Sequence, residues 1–281
     1  MPSFIDDHGV EIFYDIHPAA RTPRGVVQLL HGVGEHAGRY GALIAALTDS
    51  GFIVYADDHR GHGRTGMKQH GDDATKLGRL GIGGHRAAVA AVARFTRLIR
   101  EEHPDLPLLL LGHSWGSFLS QKLFNLQPDA YDAVILSGSS LLTPFSLNAR
   151  PLNRRWKGAD ATGTEWLSSD LTVGKAFLED PLNTSTPLLK LFGFLDASRL
   201  YGLPRRHLPD VPVLLLVGAD DPVGGPRSVR KLEKAYRERG GLTDVTTIVY
   251  PGARHEIFNE VQQAEVRADL LGWIDARFAD R

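Results

Sequence analysis

Apolar residues along this chain fall into short continuous runs, separated by stretches in which they recur every three or four positions. "LPLLLLGHS" (106–114) and "VPVLLLV" (211–217) are too uniformly apolar for a sheet with one wet face, so they predict strands buried on both sides. "GVVQLLHG" (25–32), "FIVYADD" (52–58), "YDAVILSGS" (131–139) and "TDVTTIVYPG" (243–252) predict further strands. "VEIFYDI" (10–16) alternates as a strand should, behind a hairpin-like "DDHG". Helical spacing fills the intervals at 38–51, 86–104, 115–127, 227–241 and 261–280. In the first of these Leu43, Ile44 and Leu47 share one side and Gly51 acts as a stop, and the second closes on His103-Pro104. Buried strands alternating with helices imply an α/β protein with a mostly parallel central sheet flanked by helices.

Between 141 and 207 the rhythm breaks. "TPFSLNARPLNRRWKGADATGTEWLSSD" carries few strand signals, and after it Leu188, Leu191, Phe192 and Leu195 recur at helical spacing. The stretch is too long for a plain loop. It predicts a helical cap insertion at 141–207, set into a core made of 1–140 and 208–281. Such an insertion would emerge at the carboxyl ends of the strands, where open parallel sheets bind their ligands.

The run of four leucines at 108–111 ends in Gly112-His113-Ser114-Trp115-Gly116, and a helical pattern follows at once. G-x-S-x-G between a strand and a helix is the context of a nucleophile elbow. The tight bend leaves room only for small flanking residues. The helix that follows aims its N-terminal N–H groups and positive dipole end at any negative charge forming beside Ser114. A serine hydroxyl needs a general base within hydrogen-bond reach, and that base needs an orienting acid. Two later strand ends offer them in the order Ser, Asp, His: Gly218-Ala219-Asp220-Asp221-Pro222, and Gly252-Ala253-Arg254-His255. The spacing leaves Asp220 and Asp221 both open. Donors for a developing oxyanion would be the backbone N–H of Trp115 and that of Val33, in the early loop "HGVGEHAGRY". His31 reads as a brace for that loop. His59 and His62 in "DDHRGHGRTG" read as a structural turn, since no further ligands lie near to complete a metal site.

The 281 residues carry a formal net charge of −1, without the basic excess of a nucleic-acid binder. There is no cysteine, which removes disulfides, thiol catalysis and cysteine-ligated metals and fits a reducing compartment. The N-terminal residues lack a basic start followed by an apolar run, and no stretch approaches about 18 uninterrupted apolar residues, so a soluble, cytoplasmic protein is expected.

Together the segments "HGVGEHAGRY", "DDHRGHG", "LPLLLLGHSWGS", "VGADDPV" and "GARHEIFNE" resemble the α/β-hydrolase fold, and within it the monoacylglycerol lipase and lysophospholipase branch, over nearly the whole chain. The resemblance implies Asp221 as the acid, since the family's acid closes G-x-x-D. It also implies Val33 as an oxyanion donor, and Glu35 and Arg39 as polar contacts to a glycerol head-group. The implied activity is hydrolysis of carboxylic esters through an acyl-enzyme on Ser114, with no metal and no organic cofactor. The implied partner is a small ester with an acyl chain, and the apolar cap helix is suited to transient contact with a lipid surface. Departures from the family pattern are Trp115 for the usual methionine, Ser117 for a glycine, Thr65 for a serine, and Phe258 where relatives carry a polar residue. Alternatives are another serine hydrolase of the fold (a peptidase, thioesterase or cofactor-free peroxidase) or a ligand-binding protein with the triad unused.

Overall fold

The computed structural model describes residues 1–278 except 145 and 149; the parts of the expected cap and final helix that fall on 145, 149, 279 and 280 lie outside the described residues. Eight strands form one sheet: β1 (Ser3–Ile5), β2 (Glu11–His17), β3 (Gly25–Leu30), β4 (Phe52–Asp57), β5 (Leu108–His113), β6 (Ala133–Ser137), β7 (Val213–Gly218) and β8 (Val245–Tyr250). Their spatial order is β1-β2-β4-β3-β5-β6-β7-β8. β1 and β2 run antiparallel to their neighbours, and every pairing from β4 across to β8 is parallel. The hairpin expected at "DDHG" joins β1 to β2: Asp6 Oδ1 accepts the N–H groups of His8 and Val10 at 2.8 and 3.0 Å.

Layers of helix cover both faces. On one side lie α1 (Gly41–Asp49) and α8 (Gln263–Phe278); on the other lie α3 (Gly84–Glu102), α4 (Trp115–Leu126) and α7 (Gly225–Ala235). This explains the four leucines. Successive side chains of a strand point to opposite faces, so Leu108 and Leu110 join the α3/α4/α7 core while Leu109 and Leu111 join the α1/α8 core. Burying one such leucine is worth about 1.5–3 kcal/mol, against a net folding stability of roughly 5–15 kcal/mol. The central strand β5 therefore tolerates change poorly, and its carboxyl end is a rigid place to mount chemistry.

Two helical pieces were not legible in the pattern. α2 (Gly63–Gln69) begins inside "DDHRGHGRTG", and its own Gly63 and Gly66 argue against a helix. α5 (Leu171–Glu179) starts at Asp170, whose carboxylate caps the Thr172 N–H. Tyr236–Gly240 continue α7 as a π-helical turn before Gly241. Between β6 and β7 the chain carries α5, α6 (Leu188–Ser198, kinked at Gly193) and a short 3-10 turn at Leu152–Arg155, and otherwise runs irregularly. This segment is less helical than expected because side chains hold it: Glu165 accepts the Thr162 N–H, the Gly163 N–H and the Asn153 amide. Among the described residues no helix is long and apolar enough to cross a membrane.

Candidate active site

β5 hands over to α4 through Ser114, whose backbone sits at φ 53° and ψ −122°, a conformation that disfavours side chains other than glycine's. The surroundings hold it there. The Ser114 N–H donates to the Ser137 carbonyl at 2.9 Å, and the Ser114 carbonyl accepts from the Ser117 N–H and hydroxyl at 2.9 and 2.6 Å. A Cβ at Gly112 would overlap Gly116, and one at Gly116 would overlap the Leu30 carbonyl of β3. Both glycines are thus required by the closeness of helix to strand.

Ser114 Oγ lies 2.8 Å from His255 Nε2, and His255 Nδ1 lies 3.0 Å from Asp221 Oδ1. Three loops, after β5, β7 and β8, bring these groups together. Asp220 points elsewhere, into a solvent-facing ion pair with Arg155 at 2.7 Å. Of the two aspartates, Asp221 is the one that meets His255; it is buried, and its Oδ1 also accepts the Val223 N–H at 2.8 Å. Burial works against the His255 imidazolium, but the Asp221 carboxylate outweighs it, helped by Glu256 and Glu35, so His255 titrates above the usual histidine range. Since Nδ1–H donates to the carboxylate, Nε2 is free to accept the serine proton.

The loop after β3 lies against the elbow, where a Cβ on Gly32 would press on Ser114 Cβ at 3.1 Å. Some of its donors are occupied. The Gly32 N–H goes to Glu35 Oε1 at 2.6 Å and the Ala37 N–H to Asp58 Oδ1 at 3.0 Å. Neither the Val33 N–H nor the Trp115 N–H meets an acceptor among the described residues. His31 Nδ1–H donates to the Gly32 carbonyl at 2.7 Å, and its Nε2 accepts the His59 N–H at 3.0 Å. The Gly32 carbonyl and the Val33 N–H belong to one peptide unit, so this bond both orients and polarises that N–H. Burial holds His31 well below the ordinary histidine range, with His59 and His62 adding to the effect, so it stays neutral as a brace.

Glu35 and Arg39 are engaged within the protein. Glu35 also accepts from Tyr40 Oη and from Arg39, each at 2.6 Å, and Arg39 makes a two-pronged pair with Glu256 at 2.8 Å on both arms. Glu256 neighbours His255 in sequence, so Arg39 ties the two loops to each other. Glu256 had no signal in the sequence, because its partner Arg39 lies more than two hundred residues away. The departures from the family pattern also find uses. Trp115 is fully buried, 5.0 Å from His62 and 5.2 Å from Phe192 between ring centres. Ser117 bonds Ser139 at 2.9 Å, and Thr65 Oγ1 accepts the Phe13 N–H at 2.9 Å. Phe258 is buried in the α1/α8 core and not in a polar site.

A family model described as serine aminopeptidase, S33, matches residues 21–262. The monoacylglycerol lipase of Mycolicibacterium smegmatis is 32% identical over 97% of this chain and 95% of its own. Among solved structures, a thermostable carboxyl esterase from Bacillus coagulans, in complex with glycerol, superposes with a TM-score of 0.84 at 26% identity, over 98% of this chain and 97% of that one. The monoacylglycerol lipase of Paleococcus ferrophilus does so with a TM-score of 0.70 at 29% identity, over 95% and 99%. A serine on a strained strand–helix turn, joined to an imidazole and a carboxylate from two later loops, is the arrangement such enzymes need, and the chain belongs to this serine-hydrolase family of the α/β-hydrolase fold.

Proposed function

We propose that this protein is a carboxylic ester hydrolase of the monoacylglycerol lipase type, with Ser114, His255 and Asp221 as its catalytic residues. The observation that supports it is the relay itself: hydroxyl to imidazole at 2.8 Å and imidazole to carboxylate at 3.0 Å. Ser114 Oγ attacks the ester carbonyl while His255 Nε2 takes its proton. The tetrahedral oxyanion receives the N–H groups of Val33 and Trp115. The C–O bond to the alcohol breaks, and His255 returns the proton to the departing oxygen. Water then attacks the acyl-enzyme, activated by the same imidazole, and releases the carboxylic acid. Asp221 holds the imidazole in the right tautomer and stabilises its cation throughout.

An aminopeptidase would need an unpaired carboxylate for the substrate's ammonium group. The two buried carboxylates beside the relay, Glu35 and Glu256, are both spent on Arg39, which favours an ester. Glu35 and Arg39, the polar contacts expected for a glycerol head-group, also brace the two loops against each other. Residues 141–207 serve as the cap. Leu189, Phe194 and Leu195 of α6 and Leu171 and Leu178 of α5 are exposed there, and this apolar surface makes transient contact with lipid. The cysteine-free chain works in the cytoplasm. The test is turnover of monoacylglycerols of several lengths, a lysophospholipid, a p-nitrophenyl ester and an aminoacyl p-nitroanilide, comparing the wild type with Ser114→Ala. Ester turnover that falls by about three orders of magnitude or more in the variant is expected. Equal turnover in both, or a preference for the anilide over every ester, overturns the assignment.

A further inference from the structure

The insertion touches the catalytic loops more closely than a cover for substrate would require. At three points it meets the loop after β3. The Thr184 N–H donates to the Gly34 carbonyl at 2.8 Å. His36 donates from Nε2 to Asp180 at 2.8 Å, its tautomer set by Nδ1 accepting the Gly38 N–H at 3.2 Å. The ring of Phe177 lies against the Arg39 guanidinium, 4.9 Å from its centre. Some ten residues earlier the same insertion meets the histidine loop. The carbonyls of Trp166 and Leu167 accept the N–H groups of His255 and Glu256 at 3.4 and 2.7 Å. Arg254 donates to the carbonyls of Glu165 and Ser168 at 2.5 and 2.9 Å. The Trp166 ring stands 5.1 Å from the His255 imidazole.

Gly34 shows how tight this fit is. Its φ is 78°, and any Cβ there would overlap the Thr184 carbonyl oxygen. The glycine is thus demanded both by its own backbone conformation and by the insertion. Val33 lies between two anchors: the peptide on its amino side is held by His31 from the core, and the Gly34 carbonyl by Thr184 from the insertion. Neither anchor alone fixes the torsions between them.

We propose that residues 165–168 and 177–184 act as a clamp that positions the oxyanion donor and the histidine together, with Asp180 and Thr184 as positioning residues for the Val33 N–H. Catalytic competence is then coupled to the seating of this half of the insertion. The other half, around α6, is left to shape substrate access. The inference rests on the hydrolase reading above and goes beyond it by giving part of the cap a share in the chemistry.

The test compares wild type, Asp180→Ala, Asp180→Asn, Gly34→Ala and Lys175→Ala. Lys175 serves as a control because its ammonium reaches only toward Glu179, at 3.8 Å on the surface. Each protein is titrated to completion with a fluorophosphonate to count competent sites. Then kcat and KM are measured on p-nitrophenyl butyrate, along with the initial rate of phosphonylation and the thermal midpoint. A loosened donor should lower kcat per titrated site by about 10- to 100-fold in Asp180→Ala and Gly34→Ala, with KM within about twofold of wild type. Phosphonylation should slow in parallel, since it too builds charge on an oxygen in the hole. Asp180→Asn keeps one oxygen, enough for His36 or for the Leu182 N–H that Asp180 Oδ1 accepts at 2.9 Å but not for both, and should recover part of the rate, and Lys175→Ala should match wild type. Full kcat in Asp180→Ala, or a loss confined to KM or to the thermal midpoint, overturns the clamp. If Ser114→Ala is inactive while Asp180→Ala is fully active, the clamp alone fails; if Ser114→Ala keeps turning over, the hydrolase reading itself fails.

Discussion

At the scale of single residues, the charge of Asp221 decides how the site responds to pH. Burial alone would push the His255 imidazole down, and the carboxylate at 3.0 Å reverses that direction. A protonated imidazole cannot accept the Ser114 proton, so kcat/KM falls as pH drops through the His255 pKa. Because that value is raised, the acid limb of wild type should lie above the ordinary histidine value of about 6.5. Asp221→Asn removes the charge but keeps the shape. The expected result is a fall in kcat of about four orders of magnitude, with the limb of the remaining activity moved to lower pH. A pH–rate profile of both proteins on an aryl ester checks this, and a limb that stays in place would mean that His255 is not the group being titrated. His62 cannot substitute, since burial takes it to about 3.

At the scale of elements, the β5–Ser114–α4 unit was legible because each of its needs is local. A doubly buried strand needs a continuous apolar run, and close packing of helix on strand needs the two glycines. Gly116→Ala tests the second need. Its methyl group would meet the Leu30 carbonyl, so α4 must shift from β3 at a cost of about 1–3 kcal/mol. The Trp115 N–H moves with it. A lower urea midpoint together with a lower kcat is expected; an unchanged kcat would detach that N–H from the oxyanion. Other elements escaped because their causes are not local. α2 contains Gly63 and Gly66 and owes its place to packing, since a Cβ on Gly66 would overlap Gly61 and crowd Leu77. The capping aspartate before α5 was a usable signal, hidden in a polar stretch. Asp220 and Asp221 are adjacent, and only their distant contacts tell them apart, the first pairing with Arg155 and the second with His255.

For the whole molecule, the distribution of apolar surface matters most. The apolar residues of the central strands are buried, while Leu189, Phe194 and Leu195 on α6 are 59, 79 and 69% exposed. A lipid surface could bury them at about 1.5–3 kcal/mol each. Phe194→Asp combined with Leu195→Asp should therefore reduce co-sedimentation with phosphatidylcholine vesicles by tenfold or more, a loss larger than any change in turnover of a soluble aryl ester. Equal sedimentation of the two proteins would remove α6 as the contact. The overall architecture could be read from the apolar rhythm, whereas the route of 141–207 could not, since side-chain bonds and not periodicity fix it. Arg39 carries a consequence of its own. With one arm on Glu35 and both on Glu256, it makes two distant stretches of sequence inheritable only as a matched set. A laboratory seeking new substrates for this scaffold should leave those stretches untouched and vary α6 instead, where libraries would retune selectivity without dismantling the chemistry.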